Sequence, residues 1–487
     1  MNKKIGIFLF RRDLRLQDNL SLGSLINEID ILIPIFILDK YQIKKTKRNA
    51  NYFSNNVVQF MCESLVDLNE DLLNYNSRLR LFYGNPKKIV GKLIKWILIN
   101  YKVDPTNIFF GYNCDYSKYS LKRDNEMDKV LLKQKVNLIK SNNDYTLIPF
   151  EQMLKSDGNG FKQYGAFYKN AIKHEVNKPI RLNLKNVILL QKGTAVKSEY
   201  DITNLGKFYK VNERIAQNGG RINAKNRLKK ISNHKNYNEM RDRLDYQTTN
   251  LSAYLNFGCL SIREVYHYVK KVLGNNTLIL KQLYWRDFYL VALIYLPNGN
   301  EFKHMDERYE KIKWKNDYKL WDLLMNSKTG YLIIDAAIQE MKITGFMHNR
   351  ARMIVGVFWT KYLLINIFHP QYGSQVGYSK YLVDAIGPSQ NKMNHQWITE
   401  FDFPGKKYAP SEAPIAGRPM DPSNKMIRKW DPECIYIKKW LPHLNNVTNK
   451  DLFNWNMIMS QKYNNIHPYP IFDHKIKYKE WINACKI

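Results

Sequence analysis

The segment FMHNRARM, residues 346–353, places a histidine, an asparagine and two arginines in eight positions between apolar runs. On a helix, Asn349, Arg352, Met353, Gly356 and Thr360 share one face, at i, i+3, i+4, i+7 and i+11. Gly356 lets another group approach the backbone closely on that face. Burying Arg352 beside it is costly unless an opposite charge or a ligand meets the guanidinium. Downstream, YLVDAIGPSQNKMNHQW offers Asp384, then a Gly-Pro turn, then Asn391. Two arrangements satisfy this pattern. One is a plain buried Arg352–Asp384 ion pair; the other is the same pair set beside a planar polar ligand.

These side chains need a scaffold. The helical pattern over 347–366 carries a second, apolar stripe: Met347, Ala351, Ile354, Phe358 and Ile365. QLYWRDFYLVALIYL and GYLIIDAAIQEM also read as helices, and SIRE (261–264) is a capping box opening EVYHYVKKVL. From 248 onward the patterns are helical, so the region 211–487 is expected to be an all-α domain. The N-terminal part differs. IGIFLF (5–10) and ILIPIFIL (31–38) are continuous apolar runs suited to strands covered on both faces. Helical patterns at 54–73 and 86–100 follow, then a short apolar run at 107–112. This alternation predicts an α/β domain with a parallel, Rossmann-like sheet over 1–135. Its first turn, RRDLRLQDN, holds neither GxGxxG nor GK[ST], which argues against a glycine-rich nucleotide loop. Residues 136–210 form a connector, and no internal repeat is evident.

The composition narrows the partners. Lys and Arg number 76 against 44 Asp and Glu, a net charge of +32. That balance suits a polyanion, nucleic acid first, and it also matches the Lys, Asn, Ile and Tyr bias of an A/T-rich genome. The basic stretch RINAKNRLKKISNHK (221–235) reads equally as a DNA-facing segment or a solvated face. The start, MNKKIGIFLF, runs into two arginines and lacks a small-residue cleavage site, so a buried strand is expected there and no signal peptide. No apolar run is long enough to span a bilayer. Five scattered cysteines without CxxC argue for a reducing compartment and against a metal site. An intracellular monomer, in nucleus or cytoplasm, is expected.

The chain resembles the photolyase/cryptochrome family from its first strand to the WLP at 440–442. The matching segments are FRRDLRLQDN, TTNLSAYLNFG (248–258), QLYWRDFY (282–289) and KTGYLIIDAAIQEMKITGFMHNRARM (328–353). The resemblance implies an α/β antenna domain, a connector, and a helical domain holding FAD. It places Tyr237, Thr248, Thr249, Leu251 and Ser252 on the FAD phosphates and nearby atoms. Hydroxyls and backbone N–H groups at a helix start suit a diphosphate. Gln282, Arg286 and Asn349 would line the boundary between flavin and substrate. Arg352 and Asp384 would flank the isoalloxazine, and the Asn391 amide would face flavin N5.

The same resemblance implies UV-damaged DNA as substrate. Trp285 and Trp397 match the aromatics that hold a flipped-out pyrimidine dimer, whose lost stacking must be regained. Arg241, Arg286, Arg350 and Arg418 match contacts to the phosphates of the damaged strand. Light-excited reduced flavin would lend an electron to a cyclobutane dimer, the ring would open, and the electron would return. Enzymes for the (6-4) photoproduct carry two histidines where Asn349 and Met353 stand, and neither of these can act as a general acid. Gln282 points the other way, because cyclobutane enzymes usually place Glu there.

Other positions depart from the family pattern. Of the three tryptophans that usually relay electrons to the flavin, the distal one is matched by Trp314. The middle one falls on Ile367 or Phe368 and the proximal one on His395. Ile386 replaces a second aspartate. Trp359, two helical turns from Arg352, is either a substitute relay or a space-filling core residue. Ser117 stands where folate-using members carry Glu, so the identity of an antenna chromophore stays open. The alternatives to dimer repair are (6-4) repair, cryptochrome-type light signalling, and a basic nucleic-acid-binding protein without flavin.

Overall fold

The computed structural model describes residues 3–43, 54–184, 188–189, 200–296, 303–304, 307–366, 368, 422 and 424–485. Asp384, Asn391, Trp397 and Arg418 lie outside the described residues, as do Ile367, Ile386 and His395.

The two apolar runs form strands β1 (Ile5–Phe10) and β2 (Ile31–Asp39), and every residue in both is buried. They pair in parallel with each other and with β3 (Arg80–Gly84), β4 (Ile108–Asn113) and β5 (Asn137–Ser141), in the order β3-β2-β1-β4-β5. A two-residue strand, Ile188–Leu189, adds to β2. The fifth strand lies beyond residue 135, so the sheet runs a few residues past the expected end of the α/β unit. Helices α1 (Leu20–Ile26), α2 (Asn55–Leu73), α3 (Pro86–Tyr101) and α4 (Lys118–Lys133) cover it. Two separate apolar clusters pack on opposite faces of β1 and β2. Phe8, Phe10, Leu32 and Phe36 belong to one, and Ile5, Ile7, Ile33 and Ile35 to the other. That two-sided burial is why these strands have no polar alternation.

The helical half contains no strand among its described residues after 210. Helix α5 (Tyr164–Ala171) lies between the sheet and the helical half, within the segment expected to be a connector. Then come the short α6 (Ser252–Asn256), α7 (Ile262–Leu273), α8 (Leu278–Tyr295), α9 (Tyr318–Met325) and α10 (Leu332–Thr344). Helices α11 (Asn349–Val357) and α12 (Ile435–Trp440) complete the surroundings of the site. The capping box forms: Ser261 Oγ accepts from the Glu264 N–H at 2.9 Å. The helix expected over 347–366 is interrupted. His348 caps it, α-helix runs from Asn349 to Val357, and Phe358–Tyr362 widens into a π turn. The Thr360 hydroxyl donates to the Gly356 carbonyl at 2.9 Å, competing for the acceptor that a regular helix reserves for the Thr360 amide. The apolar stripe stays intact, with Met347, Ala351, Ile354, Phe358 and Ile365 all buried.

The first turn, RRDLRLQDN, is the clamp between the two halves. Arg12 donates to the Asn256 carbonyl (2.9 Å) and side-chain oxygen (2.6 Å). The Leu14 N–H donates to the Phe257 carbonyl at 3.0 Å. Arg15 is buried against Asp144 at 2.9 Å and reaches the Gly258 carbonyl at 3.2 Å, while Arg263 pairs with Asp18 at 3.1 Å. Gly258 has φ +67°, and a Cβ there would run into the backbone of Arg12 and Asp13. Buried pairs of this kind add little net stability over an apolar core, but they penalise any other docking of the two halves heavily.

Candidate functional site

The polar face of α11 meets the loop that runs from Tyr237 to Ser252. Arg350 forks onto Asp242, with Nε at 2.9 Å and Nη2 at 2.8 Å. Its remaining nitrogen donates to Met353 Sδ at 3.2 Å, and Asn349 Nδ2 lies 3.9 Å from the same sulfur. The thioether is therefore held between an amide and a guanidinium. Arg241 sits 3.5 Å from Asp242. Thus Asn349, Arg350, Met353 and Arg241, singled out from the sequence, do converge. Asp242, which joins them, was not anticipated; its place directly after Arg241 was the available signal.

The histidine of FMHNRARM is a capping residue. His348 Nδ1 accepts the Arg350 N–H at 3.1 Å, so the neutral ring carries its proton on Nε2. Burial, with the Arg352 and Arg350 charges, pushes this imidazole down to about 4. The His348 N–H donates to Glu340 Oε2 at 3.1 Å, and the Tyr436 hydroxyl donates to that same oxygen at 2.7 Å. Burial pushes the Glu340 carboxyl up to about 7, against those two donors and the charges of Lys439 and Arg352. Arg352 is half-buried with Nε shut away from solvent, and its charge also reaches Tyr289. Its expected partner Asp384 is among the residues not described.

Helix α8 supplies a second wall. Gln282 and Trp285 are half-buried and Arg286 is buried. Arg286 turns inward: Nη1 donates to the Tyr145 carbonyl and lies 3.8 Å from Asp287 Oδ1. Burial lowers Arg286 to about 10 and raises Asp287 to about 7. Asp287 Oδ2 accepts the Leu147 N–H at 2.8 Å, which ties α8 to the connector. Trp285 is stacked on Tyr164 of α5 with ring centroids 3.5 Å apart and planes within 5°.

The Tyr237–Ser252 loop ends in the short α6. Leu251 is buried, while Tyr237, Thr248, Thr249 and Ser252 are half-buried. Asn250 is held at φ +52°. Its buried Oδ1 meets no hydrogen-bond donor among the described residues, nor does the nearby buried Trp430 Nε1 meet an acceptor. Trp430 accepts the Leu244 N–H on its carbonyl and lies under the Arg350 guanidinium, 5.9 Å from ring centroid to Cζ. Buried polar atoms left over beside hydroxyls and cations fit a large polar cofactor with phosphates and a purine.

The two proposed electron-transfer residues occupy separate clusters. Trp359 is fully buried with its ring 5.0 Å from that of Trp321. Trp314 stacks on His304 (5.7 Å, 9°) and approaches Trp481 (6.3 Å). The ring of Phe368 stands 4.9 Å from His304.

A cleft opens at the C-terminal ends of β1, β2 and β4, where parallel α/β sheets collect ligands. Arg11, Arg12, Asp39, Asp115, Arg123 and Asn256 are among its lining residues. Burial works to raise the Asp115 carboxyl, but Arg12, Arg123 and Arg11 overcome it and hold it at about 2. Ser117 also lines the cleft, and its Oγ caps α4 by accepting the Ser120 N–H at 3.2 Å.

A parallel α/β domain is clamped to a helical domain that carries the polar face of α11 and the Tyr237–Ser252 loop. Two family models match the chain: DNA photolyase over residues 6–182, and the FAD binding domain of DNA photolyase over 279–487. The chain belongs to the photolyase/cryptochrome family, and its helical half is an FAD-binding domain. It is 26% identical to a deoxyribodipyrimidine photo-lyase of Synechococcus sp., over 98% of this chain and 95% of the relative. It is also 26% identical to a (6-4) DNA photolyase of Arabidopsis thaliana, over 92% and 81%. Among solved structures, an archaeal photolyase from Sulfolobus tokodaii with two FAD molecules superposes with a TM-score of 0.79 at 28% identity, covering 99% of both chains. The family acts on damaged DNA. No described helix is long and apolar enough to cross a membrane.

Proposed function

We propose that the protein splits cyclobutane pyrimidine dimers in DNA, driven by light. The observation that carries this reading is the state of Asn349 and Met353. The thioether is engaged by Arg350, which itself holds Asp242, and is close to the Asn349 amide. Neither can deliver a proton to a (6-4) lesion. The neighbouring His348 does not substitute, because its Nδ1 is used in capping and burial keeps it neutral near pH 7.

Reduced FAD, when bound, supplies the excited electron that the dimer takes up and gives back. The chain's own side chains do the rest. Tyr237, Thr248, Thr249, Leu251 and Ser252 hold the dinucleotide, with Arg352, Asp384 and Asn391 around its reactive ring. Trp285 and Trp397 give the extruded dimer its stacking, and Gln282 and Asn349 hydrogen-bond its edge. Arg241, Arg350 and Arg418 position the backbone by charge. Arg286 acts from behind the wall, since its guanidinium is spent on Tyr145 and Asp287. Trp359 with Trp321, or Trp314 with His304, relays electrons that restore the reduced cofactor. The cleft on the α/β domain takes a second chromophore; the second FAD of the archaeal relative is described as a light-harvesting cofactor.

Gln282 favours one alternative, (6-4) repair, since that family branch carries Gln there. The deciding experiment incubates the flavin-loaded protein with oligonucleotides bearing one cyclobutane dimer or one (6-4) lesion, in darkness and under blue light. Light-dependent return of intact thymines from the dimer alone is expected. Repair of neither lesion by protein with reduced flavin would leave the signalling reading in its place.

A further inference from the structure

We propose that Tyr164, on the connector helix, is a positioning residue for lesion recognition: it backs Trp285 and fixes the plane onto which a flipped base stacks. The proposal rests on the assignment of Trp285 to the lesion made above. Its own basis is geometric. Tyr164 and Trp285 lie face to face at 3.5 Å with planes within 5° of parallel, the closest and flattest ring pair among those described. Tyr168 continues the stack behind Tyr164 at 5.6 Å and 20°.

The support is itself held firmly. The Tyr164 hydroxyl donates to the Lys281 carbonyl at 3.0 Å, which ties α5 to the turn of α8 just before Trp285. The Lys281 ammonium lies over both tyrosines, 5.8 Å from Tyr164 and 5.1 Å from Tyr168. Phe288 meets both Tyr164 and Trp285 edge-on, at 5.6 and 5.7 Å. A half-buried indole would otherwise sample several rotamers, and ordering it would oppose binding. Tyr289 also meets the indole, tilted 31° at 5.6 Å, so with one face covered by Tyr164 and its surroundings braced by Phe288 and Tyr289, the orientation of the ring is set before a base arrives.

This separates two kinds of binding. Contacts to phosphates are independent of the lesion, whereas stacking of an extruded dimer is felt only with damaged DNA. Loss of the backing ring therefore lowers affinity for damaged DNA and leaves affinity for undamaged DNA alone. A loss of roughly fivefold to tenfold in the damaged-to-undamaged ratio is expected, in line with losing an aromatic pair and its preorganisation.

The test measures binding of full-length, flavin-loaded protein to a dimer-containing oligonucleotide and to its undamaged twin, by fluorescence anisotropy. Tyr164→Leu and Tyr164→Met remove the plane while keeping apolar volume; Tyr164→Phe keeps the plane; Trp285→Ala is the reference. Reduced preference in Leu and Met, with undamaged binding and flavin content unchanged and preference restored in Phe, supports the proposal. Wild-type preference in Leu or Met while Trp285→Ala loses it overturns the proposal alone. Wild-type preference in Trp285→Ala overturns the underlying stacking assignment instead. Equal loss of both affinities, or failure of both Leu and Met variants to fold, makes the ring a core residue and also overturns the proposal.

Discussion

Glu340→Gln should stabilise the helical domain at alkaline pH and leave it nearly unchanged in acid. Glu340 is buried, and burial raises its carboxyl from 4.5 to about 7. Below its ordinary range the carboxyl is protonated in both native and unfolded chains, so it contributes no pH dependence. Between the ordinary and raised values the unfolded chain releases the proton while the native chain keeps it, and stability falls as pH rises. Above the raised value the whole cost is present, about 3 kcal/mol for a displacement of this size. Glutamine keeps the acceptor that the Tyr436 hydroxyl and His348 N–H use and has no proton to lose. The difference between variant and wild type should therefore grow from near zero at about pH 3.5 to about 3 kcal/mol at about pH 8.5. For a cooperative unit of roughly 250 residues that corresponds to about 5 °C in melting temperature. Differential scanning calorimetry of both proteins across this range gives the curve. Equal melting offsets at both ends, or a Glu340→Gln protein less stable in alkali, would refute the reasoning. Either result would mean that the native carboxylate is ionised, and that Lys439, Arg352 and the two donors outweigh its desolvation.

Three further substitutions probe other parts of the molecule. Gly258→Ala places a methyl against the Arg12 carbonyl at φ +67°; it should cost about 2 kcal/mol or more, read as a lowered melting temperature and reduced yield of folded protein. Asp242→Ala should change stability by less than about 1 kcal/mol, because the pair is partly solvated. It should nevertheless narrow the affinity gap between damaged and undamaged DNA, since Arg350 then no longer holds Met353. Trp359→Phe should slow light-driven reduction of oxidised flavin by an added thiol, followed by transient absorption, while repair by chemically reduced protein proceeds at the wild-type rate; unchanged photoreduction removes Trp359 from the relay.

The parts of this fold that were legible in the sequence are those where one physical requirement dominates. IGIFLF and ILIPIFIL read as two-sided strands because nothing in them can face water. SIRE read as a helix start because the serine and glutamate answer a local hydrogen-bond deficit. The break at Phe358 was not legible. It depends on one threonine hydroxyl choosing a carbonyl on its own helix, and periodicity does not register that choice. Within the site, chemistry-bearing residues stood out by type, but what holds them did not. Glu340, Tyr436 and Asp242 reach FMHNRARM from other segments; only Asp242, next to Arg241, carried a sequence signal.

The same contrast explains RRDLRLQDN. The sequence argued only against a glycine-rich nucleotide loop there, yet a run with two arginines, an aspartate and a third arginine is expensive to bury without a partner. Part of the partner is the protein itself. Arg12 and Arg15 close on Asn256, Gly258 and Asp144, and Asp18 takes Arg263. Arg11 and Arg12 also line the cleft of the α/β domain, and Asn256 lines it while ending α6, which follows the proposed phosphate loop. One short turn thus touches the cleft proposed for a second chromophore and the helix that follows the proposed phosphate loop. Replacing Arg12 with alanine would remove both hydrogen bonds to Asn256 without touching either proposed ligand pocket's apolar walls. If the clamp positions α6, flavin affinity falls in that variant even when the cleft is empty. If it serves the cleft alone, flavin affinity stays at its wild-type value and only binding of a second chromophore changes.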